Sequence, residues 1–499
     1  MSNPAVELHG LEKRFGAVHA NRGISLRLFP GSIHGLIGEN GAGKSTLANI
    51  LYGYLTPDAG TIRVHGRLHR MRRPRDAIAA GIGMVHQHFM LIEPMSVLDN
   101  LVLGSEGGPA LAKGRAAARA TLSRYQWPVD PGVAVERLSV GARQQVELLK
   151  ALHRGADILI LDEPTAVLTP IETQWLFDEL RALAHEGKTI LLVTHKLREV
   201  MELADRATVL RHGSVVAERE VAQTSAAELA ELTIGRAPAP PVRRVHPKGP
   251  IVLEIRDLSV RDHEGVTRLD RVSFDLRAGE VLGVAGVAGN GQSELIEALV
   301  GLAAPSGGMI RLHGRDITGA SVAERRRHGL GCIAEDRLRD GAIAELSAAE
   351  NVLLGRQDEA DFVRRGFVRS ENLNRSVETF VHGYAIRPRR PDQRLALFSG
   401  GNQQKLVVAR EIERKPSVLV AGQPTRGVDV GAAELIHRRL LDISAAGTAI
   451  LLVSADLDEV RLLADRILVI CQGRITGEVA PEDVDERRLG LLMAGAAVA

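Results

Sequence analysis

The sequence predicts an α/β protein in which one unit is written twice in tandem. Three observations carry that expectation. A glycine loop, Gly38-Glu39-Asn40-Gly41-Ala42-Gly43-Lys44-Ser45-Thr46, sits between an apolar run, Ile33 to Ile37, and a helix-like segment, Thr46 to Leu51. Short leucine-rich and β-branched runs, Ile158 to Leu161 and Ile190 to Val193, alternate with amphipathic patterns, Thr173 to His185 and Leu197 to Leu203. Runs of that kind suit parallel strands buried on both faces. The third observation is repetition: Gly60-Thr-Ile-Arg-Val-His-Gly66 returns as Gly308-Met-Ile-Arg-Leu-His-Gly314, an offset of 248 residues.

The glycine loop follows the same rule, with a counterpart beginning at Gly286. Later segments pair at an offset of 260: Ile158 to Thr165 with Val418 to Thr425, Leu191 to His195 with Leu451 to Ala455, and Asp205-Arg206 with Asp465-Arg466. The second copy thus carries 12 additional residues, three before Asn351 and nine before Ser399, the nine in an arginine-rich stretch expected to be helical. His88 to Leu138, rich in Ala, Arg and Leu, reads as a helical insert. Between the copies, 237–250 holds five prolines in fourteen residues, a semi-extended tether. Domains are placed at 1–236 and 251–499.

A chain of 499 residues is too long for one hydrophobic core. Its 45% hydrophobic and 25% charged residues are ordinary for a soluble protein. A net charge of +2 and only 3% aromatic residues argue against a nucleic-acid partner, which needs a basic surface or a stacking platform. The local basic runs, Arg325-Arg326-Arg327 and Arg387 to Arg394, read as solvated faces. Cys332 and Cys471 form no disulfide framework and have no metal-ligand spacing, so they read as apolar fillers in a reducing compartment. Met1 to Gly10 lacks a signal-peptide pattern, and no apolar stretch reaches the ~20 residues needed to cross a bilayer. The chain is expected to be cytosolic, with any membrane role exercised through partners.

The glycine loop meets GxxxxGK[ST] in full. Its glycines let successive backbone N–H groups turn inward around phosphate oxygens, and the helix N-terminus adds its positive end. Lys44 can reach the β- and γ-phosphates, and the Ser45 hydroxyl can ligate Mg²⁺. The bland alternative, a glycine turn with no ligand, is disfavoured by the strand before it and the helix after it. The nucleotide expected is ATP.

Leu397-Phe398-Ser399-Gly400-Gly401-Asn402-Gln403-Gln404-Lys405 resembles the signature of ABC-type ATPases. With paired glycine loops and paired strand motifs, the resemblance covers nearly the whole chain. It implies two tandem P-loop ABC-type ATPase domains, each with a RecA-like α/β core, an antiparallel β piece and a helical signature subdomain, as in the fused ATPase subunit of a bacterial ABC importer. By resemblance, Phe15 stacks on adenine, and Gly38 to Thr46 holds the phosphates. Gln87 contacts Mg²⁺ and the attacking water, and its segment senses the membrane partner. Asp162 supports Mg²⁺ through water, Glu163 is the general base, His195 contacts the γ-phosphate, and Ala166 to Leu168 stands at the D-loop. Taken singly, Phe15 could be core and His195 a structural histidine. Asp162 and Glu163 are harder to explain blandly, since two carboxylates ending a buried strand are costly without a cation. His86 and His88 are assigned to packing or to contact with the membrane partner.

The second copy departs from this pattern. Gln292 replaces the loop lysine and Glu294 adds negative charge. Gly422 and Gln423 stand where Asp and Glu should be, Glu335 takes the glutamine position and Ala455 the histidine position. No Phe, Tyr or Trp lies between Ile255 and Val272 to stack on adenine. The signatures fail the other way round. Val140 interrupts Ser139-Val140-Gly141 in the first copy, while Ser399, Gly400, Gly401, Asn402 and Gln403 keep the pattern in the second. Head-to-tail packing of the copies would gather the intact loop and the intact signature into one site, and the broken parts into another.

Among the ABC importers the motifs resemble the nucleoside branch, including Asp162 to Pro170, Gln423 to Gly431 and the closing Leu489 to Gly495. The ribose or galactoside branch is the alternative. The resemblance implies two integral-membrane permease subunits, an extracytoplasmic substrate-binding lipoprotein, and a peripheral location on the cytoplasmic face of the plasma membrane. Two other classes are weighed. A ribosome-associated double ATPase would carry a long charged linker and two competent sites, and a DNA-repair ATPase would carry zinc-binding cysteines or coiled-coil insertions. The sequence shows none of these.

Overall fold

The computed structural model describes residues 3–16, 18–86, 89–103, 109–125, 127, 129–165, 168, 170–237, 247–286, 289–483 and 492. Gln87, His88, Ala166, Val167, most of the tether and the Leu489 to Gly495 motif except Leu492 lie outside the described residues. The chain divides into two compact units, Met1–Pro238 and Ala239–Ala499.

In the first unit a six-stranded sheet runs Ser214–Glu220, Arg206–Arg211, Ile33–Gly38, Thr189–Val193, Ile158–Asp162, Ile82–Val85 in spatial order. All neighbours are parallel except the first pair. Ile33–Gly38, Ile158–Asp162 and Thr189–Val193 are buried at every residue, which is why they read as continuous apolar runs rather than alternating ones. One face packs on Leu176, Leu180, Val146 and Leu149. The other packs on Leu47, Ile50 and Leu51 of the helix after the glycine loop and on a four-stranded antiparallel sheet, in the order Val18–Leu28, Val6–Phe15, Ala59–Val64, Arg67–His69. The expected insert from His88 to Leu138 contains the helices Val97–Val102 and Pro109–Tyr125 and the short turn Val135–Arg137.

The second unit repeats this topology, with sheets ordered Leu330–Ile333, Val418–Gly422, Ala449–Val453, Val281–Ala285, Arg466–Cys471, Arg474–Val479 and Thr267–Arg277, Ile251–Arg261, Gly307–Leu312, Arg315–Asp316. Side chains repeat as well. Asn100 accepts from Ile92 N at 2.8 Å and donates to Ile92 O at 3.0 Å and Ser96 O at 3.1 Å. Asn351 does the same with Ile343 at 2.8 and 2.9 Å and with Ser347 O at 2.9 Å. These brackets share an offset of 251, so the three additional residues lie before Ile343, where the second unit forms a π-helical turn, Arg337–Gly341.

Two sequence expectations are corrected here. The arginine-rich additional stretch is not all helical. A hairpin, Val363–Arg364 with Phe367–Val368, precedes the helix Ser370–Gly383. Its Gly366 has φ 82°, the left-handed conformation a tight turn needs. Nor is Arg325-Arg326-Arg327 a solvated face throughout: Arg327 is exposed, but Arg325 and Arg326 are not. Arg325 is 1% exposed and donates to Ala298 O and Leu299 O, so its charge lies on the carbonyl end of the helix Gln292–Val300. Arg326 pairs at 3.0 Å with the wholly buried Glu411.

Candidate active site

Strand order alone brings the predicted chemistry together. Ile33–Gly38 ends in the glycine loop, its neighbour Thr189–Val193 leads to His195, and the next strand ends in Asp162. All three deliver their residues at the carboxyl edge of the sheet, where open α/β folds bind ligands. Gly43 opens the helix Lys44–Tyr52 with φ 102°, and a Cβ there would meet the Asn21 amide at 2.6 Å. Buried Asn21 in turn donates to Gly43 O at 3.1 Å. Lys44 is 5% exposed and arches over the loop, donating to Gly38 O at 2.7 Å and Glu39 O at 3.1 Å.

Asp162 is buried and hydrogen-bonded to Ser45. Burial first, then the adjacent Glu163 charge, push its pKa up to about 6, against the opposing effects of Ser45 and Lys44. A desolvated carboxylate beside a hydroxyl and a second carboxylate is a hard-oxygen setting that a divalent cation would relieve, so these residues fit Mg²⁺. No group of three or more His, Cys, Asp or Glu side chains gathers as a metal cage among the described residues. Mg²⁺ in phosphate chemistry ordinarily needs only one or two carboxylates, the substrate's phosphates supplying further ligands.

Glu163 takes a left-handed backbone, φ 48°, and its N–H donates to Val193 O at 2.8 Å. Such strain at a non-glycine residue costs about 1–3 kcal/mol and turns the side chain away from the strand's own pleat. Glu163 Oε1 lies 2.9 Å from His195 Nδ1. Burial pushes the Glu163 carboxyl up, but the His195 hydrogen bond, with the charges of His195, Lys44 and Lys196, holds it below its ordinary value. The sequence assigned Glu163 and His195 separate tasks; the fold joins them in one hydrogen bond.

Sequence reasoning missed the residue behind this pair. Buried Glu199 accepts from Thr165, just past Glu163, and from Thr194 at 2.8 Å, just before His195. Glu459 accepts from Thr425 in the second unit at 2.7 Å. The recurrence of a Thr and Glu 34 residues apart in both copies was the available signal.

Phe15 is 46% exposed at the end of its strand, which sets aside a core role. His86 clusters with Tyr52 and Tyr54 at ring separations of 5.7 and 5.6 Å, and the three line a cavity of about 150 Å³ with Met90, Glu147, Lys150 and Arg154. Burial, and then Lys150, hold the His86 pKa down. Glu147 and Lys150 on the helix Val140–His153 grip Met90, accepting from its N–H and donating to its carbonyl, both at 2.7 Å. That ties the signature helix to the segment that carries Gln87.

The two signature turns differ. Ser139 caps its helix, accepting from Ala142 N at 3.2 Å, and a Cβ on Gly141 would clash with the Glu172 carboxyl. Ser399 makes no side-chain cap and instead accepts from Asn402 Nδ2 at 2.8 Å. Gly400 is partly exposed, whereas Gly401 and Gln403 are buried. The Gln403 amide is committed within its unit, donating to Leu395 O and Phe398 O at 3.1 Å and accepting from Arg337 at 3.1 Å.

The second unit's own nucleotide edge keeps the backbone and loses the chemistry. Gln423 has φ 46° and its N–H donates to Val453 O at 2.7 Å, reproducing Glu163, but its side chain accepts from Ala455 N at 3.2 Å. A Cβ on Gly422 would lie 2.8 Å from the Glu335 side chain and 2.9 Å from Ile296, so the missing carboxylate's space is taken. Gln292 is 8% exposed with its Oε1 buried and unbonded, whereas Lys44 satisfies two carbonyls.

The family model for ABC transporters matches residues 21–166 and 269–426. The chain belongs to the ABC transporter family. It is a tandem ATP-binding ATPase of that family, which couples ATP hydrolysis to transport. It is 42% identical to the nucleoside import ATP-binding protein NupA of Lactococcus lactis subsp. cremoris, covering 99% of each chain. It is 43% identical to a glucose import ATP-binding protein of Haloferax volcanii, over 99% of this chain and 96% of that one. The guanosine import ATP-binding protein NupO of Bacillus subtilis is 41% identical, over 98% and 97%.

Proposed function

We propose that this chain energises an importer of nucleosides through one competent ATP site. Full-length identity to two nucleoside-import ATPases carries the substrate assignment. The glucose-import relative, equally similar, supports sugar import as the second reading. The first domain contributes the intact loop and carboxylates, the second an intact signature, and the two pair head to tail so that Ser399 and Gly400 close over a nucleotide held by Gly38 to Thr46. The same pairing leaves the loop lacking lysine and the signature with Val140 to the second site.

In this site Lys44 neutralises the terminal phosphates and Phe15 stacks on the adenine. Mg²⁺ would be held by Ser45, Gln87 and Asp162, and would supply charge neutralisation on the transferring phosphoryl group. Glu163, held ionised by His195, orients the attacking water and takes its proton. His195 positions Glu163 and faces the γ-phosphate.

No helix among the described residues is long and apolar enough to cross a membrane. Coupling therefore runs through two permease subunits met at the cytoplasmic face, with a binding protein delivering the cargo outside. The aromatic cavity of Tyr52, Tyr54 and His86, beside the Met90 backbone gripped by Glu147 and Lys150, suits contact with a permease. Uptake by the chain reconstituted with its permeases and binding protein tests the assignment. Nucleosides should be transported in preference to pentoses and hexoses; the reverse order establishes sugar import.

A further inference from the structure

The cationic surface around Ser399 has no task in the function so far. Arg387, Pro388, Arg389, Ser399 and Asn402 border a shallow hollow, wide open to solvent, of about 570 Å³. Its floor is organised: Arg387 N donates to Asn402 Oδ1 at 2.9 Å, and Asn402 Nδ2 donates to Ser399 Oγ at 2.8 Å. Arg337 approaches the same turn. Its Nε donates to Gln403 Oε1 at 3.1 Å and its Nη1 to Arg426 O at 3.3 Å, and its Nη2 lies 2.6 Å from where a Cβ on Gly400 would be. The Arg337 guanidinium is half-buried, and burial holds its pKa below the ordinary arginine value.

Among the described residues, Arg337, Arg387, Arg389, Arg390, Arg394 and Arg426 have no carboxylate oxygen within 4.0 Å. The first unit differs at the matching positions. At the offset of 260, Trp127, Val129, Asp130, Ala134 and Ala166 stand where Arg387, Arg389, Arg390, Arg394 and Arg426 are. Matching backbone bonds hold the register: Val97 N to Val133 O and Leu98 N to Pro131 O, against Ala348 N to Gln393 O and Ala349 N to Pro391 O. These five arginines thus belong to the copy whose signature is intact. Guanidinium groups without a carboxylate partner, beside a serine hydroxyl, complement a polyphosphate, whose oxygens accept paired N–H donors from arginine.

We infer that this hollow is a triphosphate-binding wall, in which Arg337, Arg387 and Arg389 hold phosphate oxygens of the nucleotide that reaches Ser399 and Gly400. It rests on the head-to-tail pairing for the source of that nucleotide. ADP, one phosphate shorter, makes fewer of these contacts, so the wall distinguishes ATP from ADP.

Equilibrium binding of ATP and of ADP to the full chain, carrying Glu163→Gln to prevent turnover, tests this. Arg337→Gln, and Arg387→Gln with Arg389→Gln, should each weaken ATP binding about tenfold or more while moving ADP far less. The loss should shrink as salt rises. An unchanged heat-unfolding profile certifies the fold of each variant. ATP affinity within about twofold of the parent in both variants overturns the inference. Ser399→Arg separates it from the reading beneath it. If Ser399→Arg weakens ATP binding and the arginine variants do not, the pairing stands and the wall falls. If only the arginine variants weaken it, the arginines bind nucleotide away from Ser399, and the inference is overturned together with the pairing. Loss of binding to phosphatidylglycerol vesicles with unchanged ATP affinity would make the surface a membrane contact and overturn the inference as well.

Discussion

The two units share a backbone topology and differ in the side chains they set on it. The left-handed turn after Ile158–Asp162 recurs after Val418–Gly422, at Glu163 and at Gln423, with the same bond to the neighbouring strand. The Asn100 and Asn351 brackets match contact for contact. Around these fixed points the side chains diverge. The first unit has a lysine over its loop and a cavity between Tyr52 and Arg154. The second has Arg326 and Arg410 clamped on buried Glu411, residues that stand where the first unit has Ile78, Lys150 and Ala151. Scaffold and catalysis therefore impose separate demands: a strained turn can persist for the sheet after its carboxylate has gone.

The sharpest way to break this comparison is to substitute Glu163 and its counterpart Gln423 in turn. Glu163→Gln should lower ATP turnover of the assembled transporter by roughly 10²–10⁴-fold, the usual worth of general-base catalysis. Gln423→Ala should leave turnover nearly unchanged, and comparable losses from both would mean two working sites. Next in size is the buried ion network. Glu411→Ala should destabilise the second unit by about 3–5 kcal/mol in denaturant unfolding, because Arg326 and Arg410 would keep buried charge with no anion. Ala151→Ser at the matching position of the first unit should cost far less.

Lys44→Ala and Ser399→Arg lie in different units, yet each should weaken ATP-driven uptake by about 10–100-fold, the worth of a charged hydrogen bond. Ser139→Arg should do less; if it proved the more damaging signature change, the proposed pairing would be wrong. The remaining contrast is acid sensitivity. His34 Nε2 meets Thr208 Oγ1 at 2.8 Å inside the first sheet, and burial, then Arg206, lower its pKa to about 3. Below the unfolded value, near 6.5, the unfolded chain binds the proton and the folded one does not, so stability falls as pH drops from about 6.5 toward 3, by up to ~1.4 kcal/mol per pH unit. Leu282 and Leu468 fill the equivalent places in the second unit. Amide protection in Ile33–Gly38 should therefore decline between pH 7 and 5 while Val281–Ala285 holds, and His34→Leu should abolish the difference.

Linear pattern alone determined a good deal. The glycine loop, the tandem repeat and the buried parallel strands were legible because local spacing encodes them: a phosphate loop needs its glycines at set intervals, and a strand buried on both faces is apolar throughout. The helix Leu197–Leu203 fell where its periodicity placed it. Tertiary structure decided what depends on partners distant in the chain. Arg325, one of three consecutive arginines, is buried because carbonyls of Ala298 and Leu299 come within its reach. The hairpin around Gly366 hides in an arginine-rich composition that suits a helix equally well. The bonds from Glu163 to His195 and from Ser45 to Asp162 join residues on separate elements. Sequence could name those four residues, but only the order of strands in the sheet could bring them into contact.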